Sequence, residues 1–337
     1  MKKHVNIPIF IPHLGCPNQC VFCNQRTISG VEQFDPATVR EQIDNALLTV
    51  DEGTECEIAF FGGSFTGIDR SLMTELLSIA KEYTDRGAVH SVRCSTRPDY
   101  IDEGVLDVLE KYGVRIVELG LQSTSRRVLD CTKRGHSVAD AARASRLITE
   151  RGFALVGQMM IGLPSSTLSD ELDTAKFIIN SGASGVRIYP TVVFRDTELC
   201  SMAKTGLYTP ISLEEAVSRS ALVLLEFIKA KITVLRIGLC ASENLSDRDR
   251  YYAGPNHPAL GELVKSRVYY NLICRELEKT TDIGGRNLVI SAPKGEISKI
   301  IGQKKENKIL LMQKYGIRDI KIREDESLSE YNIRINQ

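Results

Sequence analysis

Residues 7–23 read Ile7-Pro8-Ile9-Phe10-Ile11-Pro12-His13-Leu14-Gly15-Cys16-Pro17-Asn18-Gln19-Cys20-Val21-Phe22-Cys23. A short apolar strand runs into three cysteines spaced C-x3-C-x2-C, with an aromatic residue just before the last thiol. Three thiolates in so short a stretch can wrap one iron–sulfur cluster and hold three of its four irons, leaving the fourth open to a small molecule. A zinc site normally wants a fourth Cys or His, and the nearest candidates are His13 and the distant Cys56. A disulfide framework suits small secreted domains better than a 337-residue chain with nine scattered cysteines. The other six, Cys56, Cys94, Cys131, Cys200, Cys240 and Cys274, stand mostly in apolar contexts and read as buried free thiols.

Outward from that stretch, apolar strand-like runs alternate with amphipathic helical ones. The strands are expected at 7–11, 57–61, 91–95, 115–120, 153–161, 185–193 and 233–239. The helices are expected at 36–50, 71–83, 102–111, 137–151, 169–181 and 213–229. Apolar strands separated by helices argue for parallel βαβ units. Six or seven such units predict an α/β fold built as a partial or full (β/α) barrel, with its chemistry at the C-terminal ends of the strands. An open doubly wound sheet is the alternative, but the GxGxxG expected after its first strand is missing. The predicted division is a barrel over 1–240, a polar helical connector over 241–285, and a small α/β domain over 286–337.

Composition narrows the partners. Lys plus Arg equal Asp plus Glu at 43 each, so no global field favours nucleic acid or membrane and any polyanion must meet a local patch. The N-terminus lacks a secretory signal pattern and no apolar run is long enough to span a bilayer. The expected compartment is a reducing cytoplasm, which suits free thiols and an oxygen-sensitive cluster.

The cysteine spacing resembles the radical S-adenosylmethionine (radical SAM) superfamily. Phe60-Phe61-Gly62-Gly63-Ser64-Phe65-Thr66 resembles that family's glycine pair after the second strand, which implies backbone contact with the methionine amino group of S-adenosylmethionine. Five further stretches narrow the resemblance to the catalytic subunit of the Elongator complex, over about residues 56–210. They are Ser95-Thr96-Arg97-Pro98-Asp99-Tyr100, Val117-Glu118-Leu119-Gly120-Leu121-Gln122-Ser123, Arg134-Gly135-His136, Gly157-Gln158-Met159-Met160-Ile161-Gly162-Leu163-Pro164 and Arg187-Ile188-Tyr189-Pro190-Thr191-Val192-Val193-Phe194-Arg195-Asp196-Thr197. The resemblance implies cofactor contacts at Gly62, Gly63, Ser64, Ser95, Gln122, Arg134 and Gln158, and cluster ligands at Cys16, Cys20 and Cys23. Arg134 has the simplest physical case, since a fixed forked cation suits a carboxylate. His13 could hydrogen-bond near the cluster or be a strand-end imidazole. His136 is read as packing or capping beside Ser137 rather than catalytic. Arg187, Tyr189 and Arg195 are candidates to meet substrate, and no catalytic residue is assigned. Two departures matter: the first cysteine gap is shorter than in Elongator subunits, and the chain leaves no room after the barrel for their acetyltransferase domain.

The tail, from 288 onward, reads β-α-α-β with a further short strand near 331–335. Around Ile300-Ile301-Gly302-Gln303-Lys304-Lys305-Glu306-Asn307-Lys308 it resembles a KH module, notably the KH units of bacterial transcription elongation factors, whose G-x-x-G loop clamps nucleotide backbone. Lys305 stands where the second glycine belongs. Nine Lys/Arg face three Asp/Glu between Lys294 and Arg323, a local patch suited to phosphate. Lys299, Gly302, Lys304, Lys305 and Lys308 are the candidate RNA contacts; the alternative is a module that caps the barrel or dimerises.

The reading is therefore a radical SAM enzyme with a [4Fe–4S] cluster and S-adenosylmethionine as cofactors. It would act on a tRNA base or other structured RNA, with a reductase, flavodoxin or ferredoxin as electron donor and no membrane partner. Its rivals are a radical SAM enzyme acting on a tetrapyrrole or metabolite, with a purely structural tail, and a non-catalytic iron–sulfur RNA-binding protein.

Overall fold

A computed structural model describes residues 4–17, 20–239, 249–280 and 283–336. Cys240 and the polar stretch 241–248 lie outside the described residues. In chain order the first elements are β1 (His4–Phe10), α1 (Gln25–Ser29), α2 (Val39–Leu47), β2 (Glu55–Phe61), α3 (Arg70–Asp85), β3 (Ser91–Thr96), α4 (Glu103–Lys111) and β4 (Val114–Gln122). Then come α5 (Arg126–Cys131), α6 (Val138–Glu150), β5 (Ala154–Ile161), α7 (Leu168–Asn180), β6 (Gly185–Pro190), β7 (Val193–Phe194), α8 (Glu198–Lys204), α9 (Leu213–Lys229), β8 (Thr233–Ile237) and β9 (Tyr251–Ala253).

Seven strands form one sheet in the order β1-β2-β3-β4-β5-β6-β8, and every pairing between them is parallel. The order never reverses. A doubly wound sheet must reverse at its switch point, whereas sequential right-handed βαβ steps wind a barrel wall, so the curled partial barrel is the architecture. The intervening helices start on side chains that compete with backbone elsewhere in a helix. Asp69 accepts from the Ser71 and Leu72 amides, Asp102 accepts from Val105, and Ser137/Asp140 and Thr167/Asp170 form reciprocal capping boxes.

Period-two alternation sorts the sheet's residues. Ile58, Phe60, Val92, Cys94, Val117, Leu119, Leu155, Met159, Val186 and Ile188 are buried on the face toward the helices. A Cβ on Gly157 would lie 2.8 Å from Ile178 of α7, so Gly157 belongs to that face and lets the helix close on the strand. The other face is polar and lines the barrel interior. The apolar run expected as one strand over 185–193 is broken at Pro190; β7 instead pairs antiparallel with β9. Cys56, Cys94, Cys200 and Cys274 are buried thiols, but Cys131, at the end of α5, is half-exposed.

The chain divides into two compact units, one holding Met1–Ile211 and Phe227–Asn256, the other Ser212–Glu226 and His257–Gln337. The second unit contains α10 (Leu260–Leu277), β10 (Asn287–Ala292), α11 (Ile297–Ile301), α12 (Glu306–Tyr315), β11 (Asp319–Glu324) and β12 (Arg334–Asn336). β10 is central, parallel to β11 and antiparallel to β12. Helix α10, which the sequence places in the connector, supplies Tyr269, Ile273 and Leu277 to a core shared with Leu288, Ile290, Ile300, Leu311 and Ile320. Among the described residues no helix is long and apolar enough to cross a membrane.

Candidate functional site at the cysteine loop and barrel interior

The polar face of the wall is a chain of charges. Arg93 on β3 meets Glu57 of β2 at 3.1 Å and Glu118 of β4 at 3.2 Å. Glu118 also takes Arg187 of β6 at 2.7 and 3.1 Å. Ser91 donates to Glu57 at 2.6 Å. Glu57, Arg93 and Glu118 are buried, so each charge depends on its partners to offset desolvation. In the strand register Ser95 lies opposite Glu118 and Gln158 opposite Arg187, which puts both on this face. Arg187 also hydrogen-bonds with Tyr189 and lies over the Phe61 ring at 5.6 Å. Of the three substrate candidates, Arg187 is thus held in the wall beside Tyr189. Arg195 lies beyond β7, over the Tyr252 ring at 5.7 Å.

The cysteine loop leaves β1 at the C-terminal edge of the sheet and is clamped by backbone. His13 N–H donates to Gly62 at 3.0 Å and Ser64 N–H to Leu14 at 3.2 Å, while Cys23 N–H closes on Cys20 at 3.0 Å. A Cβ on Gly63 would lie 2.5 Å from the Leu14 carbonyl, and one on Gly15, at φ +72°, 2.1 Å from the Ser64 carbonyl. Glycine is required here because two backbones touch, and that touch fixes the cysteine loop to the glycine loop. The Ser64 hydroxyl is shared with Thr96 at 2.9 Å and accepts from the Arg97 amide at 3.3 Å, so its side chain works inside the protein. His13 Nε2 accepts from the Gln25 amide at 3.0 Å. Burial and then Arg26 lower its pKa, so it serves as a neutral strut at the start of α1.

The three thiols sense one another. Burial raises Cys16 against the pull of Arg134 and Arg97. Burial, then the neighbouring Cys20, pushes Cys23 up to about 12. Metal charge is what turns such thiols into thiolates. Among the described residues no three His, Cys, Asp or Glu side chains converge as they would on a single ion. A cluster instead presents a separate iron to each thiolate, and this donor set fits one.

Arg134 joins the loop to the wall: Nη1 donates to Cys20 Sγ at 3.3 Å and Nη2 to the Gly120 carbonyl at 2.6 Å. A Cβ on Gly120 would meet Arg134 Nη2 at 2.8 Å and Gln122 Nε2 at 3.2 Å. Gln122 sits at a β-bulge with φ +64°, the kind of irregularity that re-aims a side chain at a site. Arg134 Nε and Gln122 Oε1 are buried without a partner. Both observations fit a polar ligand against this edge, in which the carboxylate expected for Arg134 would find a donor. His136 is 4% exposed with neither ring nitrogen hydrogen-bonded. Burial, then Arg134 and Arg97, push it down to about 3, so it is neutral. The cap beside it is Ser137, not His136.

In the second unit Gly302 has φ +80°, and a Cβ there would lie 2.9 Å from the Asn307 amide. Asn307 Nδ2 pins the turn by donating to the Ser266 carbonyl at 3.0 Å and the Ile300 carbonyl at 3.2 Å. Lys304 and Lys305 are exposed at φ +50° and +65°, Lys305 taking the left-handed conformation a glycine adopts freely. Lys299 and Lys308 are engaged by Glu296 at 2.5 Å and Asp319 at 2.8 Å.

Glu57, Arg93, Glu118 and Arg97 are site residues to which no motif in the sequence assigns a role. Arg97 is 2% exposed, bonded to Asp99 at 3.0 and 2.9 Å, with Nη1 buried and unpartnered. For Glu57, Arg93 and Glu118 the signal is charge at inward positions of otherwise apolar strands; Arg97 lies just beyond the end of β3.

Comparison with known proteins places these features in context. Residues 10–178 match the Radical SAM superfamily and residues 183–270 its Radical_SAM C-terminal domain. An uncharacterized protein of Methanocaldococcus jannaschii is 29% identical over 64% of this chain and 70% of its own length. The tRNA uridine(34) acetyltransferase of the same organism is 32% identical over 46% of this chain and 29% of its own, so the chain spans under a third of that relative. The solved archaeal Elp3 of Methanocaldococcus infernus, lacking residues 1–46, shares the fold with a TM-score of 0.63 at 23% identity, covering 82% of this chain and 64% of that one.

Proposed function

This chain belongs to the radical SAM superfamily, and from that premise we propose that it is a radical SAM enzyme acting on a tRNA base. Its cofactors are a [4Fe–4S] cluster and S-adenosylmethionine. When bound, they supply one-electron cleavage to methionine and a 5′-deoxyadenosyl radical that abstracts hydrogen from substrate.

The residues of the chain do the positioning. Cys16, Cys20 and Cys23 would hold three irons. Arg134, tied to Cys20 and Gly120, sets the distance between the cluster loop and the end of β4. Gly62 and Gly63 offer backbone to the cofactor from the strand end, while Ser95, Gln122 and Gln158 line the wall beside it. The charge-paired wall, Glu57 to Arg187, keeps this part of the interior polar with its charges mutually offset. The observation that carries the reading is this joining of three thiols, a glycine loop and Arg134 at the C-terminal edge of a sequential parallel sheet.

The tRNA target is supported by relatives named for tRNA uridine(34) and by the exposed lysines of the KH-like tail, domain 286–337 in this reading. The acetyl transfer of those relatives is not carried over, because the match covers under a third of them. A reductase, flavodoxin or ferredoxin would supply the electron. The test has two parts. Anaerobically reconstituted protein with dithionite should form 5′-deoxyadenosine, and tRNA nucleosides from a strain lacking the gene should lose one modified species by mass spectrometry. Cleavage with no nucleoside change would favour the small-molecule reading, and RNA binding with no cleavage the non-catalytic one.

A further inference from the structure

A small aromatic platform lies beside the cysteine loop, apart from the thiols and the wall. Tyr252, half-buried on β9, has Arg195 and Lys204 over its ring, each 5.7 Å from the centroid. Arg195 and Lys204 are exposed. Tyr252 packs against the cluster of Val21, Val193, Leu199, Cys200 and Tyr208, which Phe22 and Met202 also join. Val21 and Phe22 belong to the cysteine loop, and the Leu199 amide donates to the Val21 carbonyl at 2.8 Å.

We propose that Tyr252, with Lys204 and Arg195, is a docking site for a single-stranded or looped RNA segment. One base would stack on the tyrosine and the adjoining phosphates would meet the cations. The chemistry selects this occupant: a carboxylate partner needs cations but no ring, whereas a nucleotide uses both, since every base has a π-face and every linkage a negative charge. In a chain with equal numbers of acidic and basic residues, a polyanion has to be met locally. The platform's packing against Val21 and Phe22 makes it useful, because RNA held there is registered to the loop that carries Cys20 and Cys23. The site rests on the RNA reading above and is separate from the lysines of the tail.

The test is tRNA binding by full-length protein over a salt series, with iron content as the fold control. Tyr252→Leu keeps an apolar side chain against that cluster and removes the ring; Tyr252→Phe keeps both. We expect Tyr252→Leu to weaken tRNA about ten-fold or more, Tyr252→Phe to bind like the parent, and Lys204→Glu to lower the slope of log affinity against log salt by about one. If the parent binds tRNA with a steep salt dependence while Tyr252→Leu and Lys204→Glu match it, the platform is refuted and the tRNA reading stands. If the parent binds no tRNA at low salt, both fall. Equal losses in Tyr252→Leu and Tyr252→Phe with normal iron content would also overturn stacking.

Discussion

Gly15 and Gly53 have nearly the same backbone, φ +72° and +79°, yet opposite surroundings. A Cβ on Gly53 meets nothing within 4 Å, whereas one on Gly15 lies 2.1 Å from the Ser64 carbonyl and 2.7 Å from Gly67 and Ile68 backbone atoms. Alanine at either position incurs left-handed strain of about 1–2 kcal/mol. At Gly15 the obstructing atoms are backbone, so no rotamer change relieves them, and the two loops have to part by more than about 1 Å to regain ordinary contact. That separation breaks the Ser64–Leu14 hydrogen bond and overpacks the junction, adding roughly 2–5 kcal/mol. It also displaces Cys16, the next residue. Gly53→Ala should therefore lower the urea midpoint slightly and take up iron like the parent. Gly15→Ala should lower the midpoint much further and lose most of its iron after anaerobic reconstitution. Circular dichroism and iron assay on the same samples read both quantities. A Gly15→Ala protein with full iron and a midpoint matching Gly53→Ala would show that loop contact does not hold the cysteines in place.

Glu118→Ala strips a shared partner from two arginines and should cost about 3–5 kcal/mol in urea unfolding; pairing it with Arg187→Met should restore part of that loss. His136 has a folded pKa pushed down to about 3, below its unfolded value of about 6.5. Its unfolded form therefore binds protons first, and the apo protein should lose about 1.4 kcal/mol per pH unit as pH falls below about 6.5. Full stability is present above that value, and His136→Leu should flatten this slope in pH-dependent unfolding. Lys304→Glu with Lys305→Glu should weaken tRNA binding and flatten its salt slope by about two while iron content is retained; an unchanged slope would move the RNA contact off the tail.

The wall was legible because β-branched and apolar runs alternate with capped helices, and strand-helix alternation dictates parallel order. Of the expected cofactor positions, Gly62, Ser95 and Gln122 stand at or just past strand ends, whereas Gln158 lies inside β5. What escaped was information that only register supplies. Glu118 looks like any charged residue in Val117-Glu118-Leu119 until β4 is set between Arg93 and Arg187. Gly62 and Gly63 offer room for a ligand by residue type, and the backbone of Ile11, Pro12 and Leu14 fills part of that room. The run through Pro190 concealed two elements, because apolarity continues where hydrogen bonding changes partners. Lys299 and Lys308 read as phosphate contacts by type, but Glu296 and Asp319 hold them.

The clamping of Val21 by Leu199, and of Ile28 by Val192, Phe194 and Tyr251, bears on how the enzyme is born. The cysteines leave the ribosome early, while the segments that brace their loop follow on the order of 10–50 s later at ordinary synthesis rates. During that interval the thiols have no fixed geometry to offer a scaffold that delivers iron and sulfide. With the cluster held here as proposed, its insertion should fall late in maturation: a nascent chain halted before Tyr251 should take up no iron, because its three thiols lack the braced loop.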